Sequence, residues 1–399
     1  MDGLTDRIVP IRTHAGMDGL VAALGADHAR YVGGIVRDAL LGIDAADVDL
    51  ATVHPPQEVV RRLTAAGIKT VPTGLAHGTI TAVLPNGPVE VTTLRRDVET
   101  DGRHAVVAFT DRWQEDAARR DFTINALYAD PANGAVFDWF GGLADLAAGR
   151  VRFIGDPYRR IAEDHLRILR FFRFHARFGN EPDADGLAAC TARANDLMAL
   201  SRERIAAELL KLLVAARAVP AVRLMVDRGI LRPVLPEIDG VTCLDRLARR
   251  ESGLGIPADP VRRLAALLPP DPLLGEKIAV RLKLSNLQRK RLSVALDPAT
   301  DAPRPLAFRI GWDGAVDRLL LSDATDEQVA NGWRELSGWL PPRLPLTGGA
   351  LVARGVSAGP DVARLLRHVE DQWVAEGFPD DGRVEALADH AVRTWRLAR

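Results

Sequence analysis

The hydrophobic period of this chain changes once, near residue 155. Before that point short apolar runs and alternating segments dominate. After it, long stretches carry apolar residues three and four positions apart. The change restricts the chain to an α+β unit followed by an all-α body. In the first part, residues 17–25 read as a helix. ARYVGG is a short apolar run ending in glycines, which predicts a strand and a tight turn, and IVRDALLG reads as the helix after it. DVDLAT and TITAVL alternate as strands do, and Asn86-Gly87 between TITAVL and VEVTTL predicts a hairpin. A second hairpin is expected at ALYAD-PANG-AVFDW. Beyond residue 155, RRIAEDHLRILRFFRFHARF, SRERIAAELLKLLVAAR and PAVRLMVDRGILRPVL have helical periodicity. Short helices separated by prolines fill the third quarter. WLPPRLPLTGG reads as a linker, and a last helical unit follows it.

Charge narrows the possible partners. Lys+Arg is 52 and Asp+Glu is 53, so any nucleic-acid surface has to be local rather than global. The two cysteines, Cys190 and Cys243, lie far apart and form neither a metal motif nor a disulfide framework, which points to a reducing compartment. The N-terminus has no apolar signal core, and no window approaches the run of about 20 apolar residues that a membrane helix needs. A soluble cytoplasmic protein is expected. His54, His77, His104 and His165 show no ligand spacing, so no zinc is expected.

Three groups of residues carry chemistry. Gly33 and Gly34 let the backbone approach a ligand closely, the helix opening there offers N–H groups to phosphate, and Arg37 can neutralise phosphate charge. By itself such a turn is equally plain geometry. Asp47 and Asp49, two apart on a strand, share one face. Paired carboxylates repel unless a cation sits between them, and Mg²⁺ held by carboxylates and substrate phosphates is the arrangement of polymerase-type sites. Without neighbours, D-x-D is a solvated strand edge. Asp164 and Arg167, three apart on a predicted helix, are surface neighbours, which suits an intrahelical ion pair or a paired recognition element.

GGIVRD followed by DVDL resembles the first signature of the polymerase-beta-type nucleotidyltransferases. More closely, it resembles the class II group that holds bacterial CCA-adding enzymes and poly(A) polymerases. Further motifs of that group follow in order: RRDFTINAL at 119–127, DWFGGLADL at 138–146, EDHLRILRFFRF at 163–174 and SRERIAAELLKLL beyond it. The resemblance is strong over about residues 30–215 and loose elsewhere. It implies a nucleotidyltransferase head over 1–150 with a small mixed or antiparallel sheet, a neck over 151–215, a helical body over 216–340 and a helical tail over 341–399. It also implies Mg²⁺, CTP, ATP and tRNA. Glu90 in VEVTTLR is the implied third carboxylate, or else an exposed residue on a half-buried strand.

The resemblance further implies that Arg120 contacts the triphosphate, that Asp121 reads the ribose hydroxyl, and that Asp164 and Arg167 form a protein template for the incoming base. Cytosine and adenine offer an amino donor and ring acceptors that an aspartate and an arginine can pair. Uracil and guanine present a carbonyl where the amino group would be, and a mismatched buried polar group costs about 1–3 kcal/mol. Arg170 and Arg173 are carried over with the motif. Each step of three turns back by roughly 60°, so Arg173 is expected to point well away from Asp164. Phe171, Phe172 and Phe174 read as core.

PTGLAHGTITAV resembles the CCA-adding pattern. The polar, loop-like stretch 95–112 matches the flexible loop that complete CCA-adding enzymes use for the final A, and Arg95, Arg96 and Arg103 in it are equally candidates for RNA contact. No His is followed by Asp, so an HD phosphohydrolase activity is not expected. GVSAGP in the tail reads as a glycine turn packing two helices, or as N–H groups for a tRNA phosphate. The alternatives left open are a poly(A) polymerase, a partial CC- or A-adding enzyme, and a non-catalytic RNA-binding protein.

Overall fold

The computed structural model describes residues 8, 15–43, 48–75, 78–101, 104–298 and 302–397. Its contacts gather into two compact units, Met1–Asp239 and Gly240–Arg399.

The first unit begins with helix α1 (Met17–Leu24), strand β1 (Ala29–Val32), helix α2 (Gly34–Leu40), strand β2 (Asp49–Thr52) and helix α3 (Pro56–Ala65). Strands β3 (Lys69–Gly74), β4 (Thr79–Leu84) and β5 (Gly87–Thr93) follow. Two short strands, β8 (Tyr128–Ala129) and β9 (Val136–Phe137), complete a seven-stranded sheet in the order β3-β4-β5-β2-β1-β8-β9. β2 and β5 run parallel and the other neighbours antiparallel, so the sheet is mixed, as expected. Both anticipated hairpins are present, with Leu84 opposite Gly87 and Ala129 opposite Val136.

Alternation along the strands decides which side chains face the site. Tyr31, Leu50, Ile80 and Val91 pack with Leu20, Leu24, Val59 and Leu63 of α1 and α3. A side chain of this kind, fully buried, stabilises by about 1.5–3 kcal/mol. Their neighbours Val32 and Ala51 join Leu94 and Tyr128 in a separate cluster. Asp49, two residues before Ala51, therefore shares the face that α1 and α3 leave uncovered.

Residues 95–112, expected as a loop, contain a two-stranded antiparallel ribbon, β6 (Arg95–Asp101) and β7 (His104–Phe109). The β-prone run AVVAF and the Asp101-Gly102 pair are hairpin signals that the polarity of the segment outweighed in the sequence. Arg103 lies outside the described residues.

Helix α4 (Trp113–Ala118) precedes RRDFTINAL, and α5 (Gly142–Ala148) closes the head. Helices α6 (Pro157–Glu163), α7 (Arg167–Phe178), α8 (Ala184–Ala192), α9 (Arg202–Leu213) and α10 (Ala218–Asp227) complete the unit. The stretch expected as one helix across EDHLRILRFFRF is broken at Asp164. Its side chain accepts the N–H of Leu166 at 3.1 Å, a local bond that competes with helix continuation. Phe171, Phe172 and Phe174 are buried, as expected.

The second unit is helical throughout: α11 (Thr242–Leu254), α12 (Pro260–Ala265), α13 (Pro272–Arg281), α14 (Asn286–Ala295), α15 (Pro303–Ile310), α16 (Trp312–Leu321), α17 (Asp326–Leu336), α18 (Gly348–Ala353), α19 (Pro360–Ala375) and α20 (Asp381–Leu397). Pro260, Pro272, Pro303 and Pro360 each open a helix, where the missing N–H costs nothing. Residues 339–347 are irregular, as the linker composition predicts. Trp373, Val369, Val384 and Leu387 form the core of the last helices. A second anchor is ionic: Arg262 donates to buried Glu251 at 2.8 Å, and Arg291 holds buried Asp317 at 2.7 Å. Burial still pushes the Asp317 carboxyl above the usual carboxylate range against that pairing. Among the described residues no helix is long and apolar enough to cross a membrane.

Candidate active site

Asp49 opens β2, half-buried, directly opposite Glu90 of β5 in the parallel pairing. Residues opposite one another in a sheet show their side chains on the same face, so both carboxylates lie on the uncovered side. The pairing reaches back one residue further, since Glu90 N–H donates to the Val48 carbonyl at 3.3 Å. Asp47 lies outside the described residues. Glu90 is exposed, and it is not among the residues that line the cavity beside Asp49.

That cavity, of about 740 Å³, is bounded by Gly33, Gly34, Arg37 and Asp49 from the sheet-bearing part of the unit and by Asp164, Arg167, Arg170 and Arg173 from the end of α6 and from α7. Arg120 and Asp121 lie between them on its wall. Gly33 has φ 73°, and a Cβ there would stand 2.9 Å from Arg120 Nη1. A bare backbone is therefore needed on two counts, conformation and space. Arg37 is only 4 % exposed. Its guanidinium pairs with Asp38 at 2.8 Å, donates to Asn125 Oδ1, and lies 5.1 and 4.7 Å from the Phe174 and Phe178 ring centres. Burial holds its pKa below the ordinary arginine value although Asp38 opposes this. Arg37 thus joins the head to α7 and shows only an edge to the cavity.

Arg120 donates to Tyr128 Oη at 3.1 Å and pairs with Asp116 at 3.4 Å, while Tyr128 donates to the same carboxylate. Burial opposes its charge, but Tyr128 and Asp116 more than offset that, and its pKa is raised. Asp121 accepts from Phe122 N–H at 2.9 Å, from Asn125 Nδ2 at 2.9 Å and from Arg170 Nε at 2.7 Å. Burial pushes this carboxyl up, yet Arg170 and the other donors prevail and keep it below the usual range, so it is ionised at neutral pH.

The expected pairing of Asp164 with Arg167 takes a different form. Asp164 ends α6 in extended backbone, whereas Arg167 opens α7. Arg204 of α9 donates to both Asp164 oxygens, at 3.1 and 2.9 Å. Arg167 instead bonds Glu163 at 2.5 Å and the Arg160 carbonyl at 2.8 Å. Arg173 contacts Glu208, also of α9, at 2.6 Å. Arg173, expected to point well away from Asp164 on one helix, lies on α7 while Asp164 does not, and both line the same cavity.

Asn125 and Arg204 are the cavity residues that sequence reasoning passed over. Asn125 lies inside RRDFTINAL between apolar neighbours, where a buried amide has to be bonded. Arg204 and Glu208 are four apart in SRERIAAELL, one helix face, which was the available signal. Arg95 and Arg119 also reach the cavity wall. Eight arginines against Asp49, Asp121 and Asp164 make this lining strongly positive in a chain of net charge −1, as a polyphosphate requires. Among the described residues no group of three or more His, Cys, Asp or Glu is placed to hold a metal. Asp49 and Glu90 are two hard oxygen donors on one sheet face, a donor set that fits a divalent cation also bound by substrate phosphates.

Comparison with known proteins agrees with this geometry. Residues 29–152 match the family model for the poly A polymerase head domain, and 181–241 match that for the probable RNA and SrmB-binding site of polymerase A. The chain is 36% identical over 366 residues to the mitochondrial CCA tRNA nucleotidyltransferase 1 of Mus musculus, covering 88% of this chain and 83% of the relative. It is 31% identical over 364 residues to the CCA-adding enzyme of Lacticaseibacillus paracasei, covering 88% and 89%. The crystal structure of the Bacillus stearothermophilus CCA-adding enzyme in complex with CTP superposes with TM-score 0.74 at 27% identity, over 96% of this chain and 98% of that one. With its glycine turn, its sheet-borne carboxylates and its arginine-lined cavity, the chain belongs to the family of CCA-adding tRNA nucleotidyltransferases.

Proposed function

We propose that this protein completes tRNA 3′ ends by adding C, C and A from CTP and ATP with release of pyrophosphate. The observation that carries the reading is the single cavity in which the Asp49 face of the sheet meets Asp121, Asp164 and Arg167, within a chain of this family. The tRNA 3′-hydroxyl attacks the α-phosphate beside Asp49. Asp47, Asp49 and Glu90 are the residues assigned to hold Mg²⁺, which when bound lowers the hydroxyl's pKa and offsets charge on the phosphates. Gly33 and Gly34 admit the triphosphate to the backbone, and Arg120 meets its charge. Asp121, ionised and fixed by Arg170 and Asn125, accepts the ribose hydroxyl.

Asp164 and Arg167 read the base. Each is held by another side chain, Arg204 and Glu163, and exchanges part of that bonding for the amino group and ring acceptors of C or A. A uracil or guanine carbonyl facing Asp164 leaves two acceptors unpaired. In this assignment 1–150 is the catalytic head, 151–215 the neck, and 216–340 and 341–399 the body and tail that bind RNA. The reaction belongs in the cytoplasm, consistent with two free cysteines. The β6–β7 ribbon supports complete CCA addition over CC addition alone.

The test is product length on a tRNA lacking its 3′ end. CTP alone should add two residues, and CTP with ATP should add three and stop. An unstructured oligonucleotide extended into a long A tail would instead identify a poly(A) polymerase.

A further inference from the structure

Arg119 and Arg120 stand side by side on the cavity wall, two like charges that repel each other unless something holds them. They are held from behind by Asp116 of α4. Arg119 Nε and Nη2 both reach Asp116 Oδ1 at 2.9 Å, and Arg120 Nη2 reaches Oδ2 at 3.4 Å. Tyr128 of β8 donates its hydroxyl to Oδ2 as well. The Arg95 N–H, at the root of the β6–β7 ribbon, donates to Oδ1 at 3.1 Å. One carboxylate thus takes donors from four residues. Three of them, Arg95, Arg119 and Arg120, line the cavity, whereas Asp116 is 1 % exposed and is not among the lining residues.

The arrangement gives Arg120 a direction. Its Nε is taken by Tyr128 Oη at 3.1 Å and its Nη2 by Asp116, which turns Nη1 toward the glycine turn, where a Cβ on Gly33 would stand 2.9 Å from it. The carbonyls of Ala118 and Arg120 accept from Arg160, so the backbone here is fixed separately from the side chains. Burial pushes the Asp116 carboxyl up, but Arg120 and Arg119, then Tyr128 and Arg95, prevail and keep it below the usual range, so it is ionised. Burial also pushes the Tyr128 hydroxyl up, so it stays protonated and donates. A buried ion pair is weak evidence for stability, since well-packed apolar side chains often serve as well. Its use here is orientation.

From this we infer that Asp116 is a positioning residue for the reaction: without touching substrate it aims Arg119 and Arg120 at the triphosphate, and Tyr128 fixes the carboxylate in turn. The inference rests on the reading of this cavity as a nucleotide site and adds to it a group that works through the arginines. Guanidinium groups fixed before binding lose less freedom when phosphate arrives, so the gain falls on the phosphate contacts. Asp164, Arg167 and Asp121, assigned to base and ribose, are held by other side chains.

Two variants of the full-length protein test it, Asp116→Asn and Tyr128→Phe. Steady-state kinetics on a tRNA lacking its 3′ end give KM for CTP, with inorganic triphosphate and cytidine as competing inhibitors. Asn keeps the size of Asp without its charge and sets an amide N–H against Arg120 or the Tyr128 hydroxyl. Asp116→Asn should raise KM for CTP and the inhibition constant of triphosphate about tenfold or more, while that of cytidine moves less than about twofold. The CTP:UTP ratio of kcat/KM should stay unchanged. Tyr128→Phe keeps the ring beside Trp113 and Trp139 and removes one bond, so it should shift the triphosphate constant in the same direction by about threefold. It carries the same test should Asp116→Asn fail to fold. A merely structural role would weaken cytidine and triphosphate alike, and equal losses for the two overturn the inference. So does a triphosphate constant unchanged in either variant. A wild type that incorporates no CTP would instead overturn the function on which the inference rests.

Discussion

At the scale of single residues, Gly33 and Asp49 both line the cavity, and each makes a separate prediction. Gly33 sits at φ 73° with Arg120 Nη1 2.9 Å from where a Cβ would be. Gly33→Ala should cost about 1–2 kcal/mol in backbone strain and displace the arginine. Steady-state kinetics should show a several-fold higher KM for both CTP and ATP, with a modest drop in Tm. Asp49 lies beside Glu90 in register, half-buried at the start of β2. Asp49→Asn should leave Tm within about 2 °C of wild type and lower kcat by roughly 10²–10³-fold, the loss seen when one group stabilising transition-state charge is removed. A variant that kept its incorporation rate would show that the carboxylate does not act in the reaction. Asn125 is the residue whose importance was hardest to see in advance. It lies within RRDFTINAL, but its place is clear only from the convergence of Arg37, Asp121 and Arg170 on it or on its partner. Asn125→Ala leaves buried Asp121 and Arg37 each short of a bond and should destabilise the first unit by about 1–3 kcal/mol, measured by denaturant unfolding.

Among the elements, α7 does the most to join chemistry to packing. One side buries Phe171, Phe172 and Phe174, and the other turns Arg167, Arg170 and Arg173 to the cavity. Its amphipathic period was plain in the sequence. The break at Asp164 was not, because it depends on a side chain bonding the backbone two residues ahead, and such a bond leaves the hydrophobic period unchanged. The same limit applies to residues 95–112, where polarity pointed to a loop and backbone pairing makes a ribbon. The placement of Asp49 on a strand and the glycine turn before α2 were legible, since alternation and a Gly-Gly turn are local features. The partnership of Arg204 with Asp164 joins positions forty residues apart and needed the fold.

α7 also carries a titratable group with a signed consequence. Burial lowers the His175 pKa below the ordinary histidine value of 6.5, and Arg217 adds to the effect. With the folded pKa depressed, the unfolded chain binds more protons as pH drops below about 6.5. His175 therefore contributes stability at neutral pH that is lost as pH falls from about 6.5 toward its folded pKa. Tm of the wild type should decline across that range, and His175→Gln should decline less. Part of the slope will remain from His54, whose pKa is also lowered by burial.

At the scale of the whole molecule, the change of period near residue 155 announced a mixed α+β part and a helical part. It did not announce that the compact unit carrying the cavity continues to Asp239, because α7 packs against α2 through side chains such as Arg37, Phe174 and Arg177. That continuity puts Asp49, Asp164 and Arg167 on the wall of one cavity, and the proposed chemistry and base choice depend on it. The direct measurement is kcat/KM for CTP and for UTP, on a tRNA lacking its 3′ end, in wild type, Asp49→Asn and Asp164→Ala. The account predicts that Asp49→Asn lowers both values together and keeps their ratio. It predicts that Asp164→Ala shrinks the ratio by about 1–3 kcal/mol, roughly five- to 150-fold. A CTP:UTP ratio untouched by loss of Asp164, or changed as much by loss of Asp49, would contradict it.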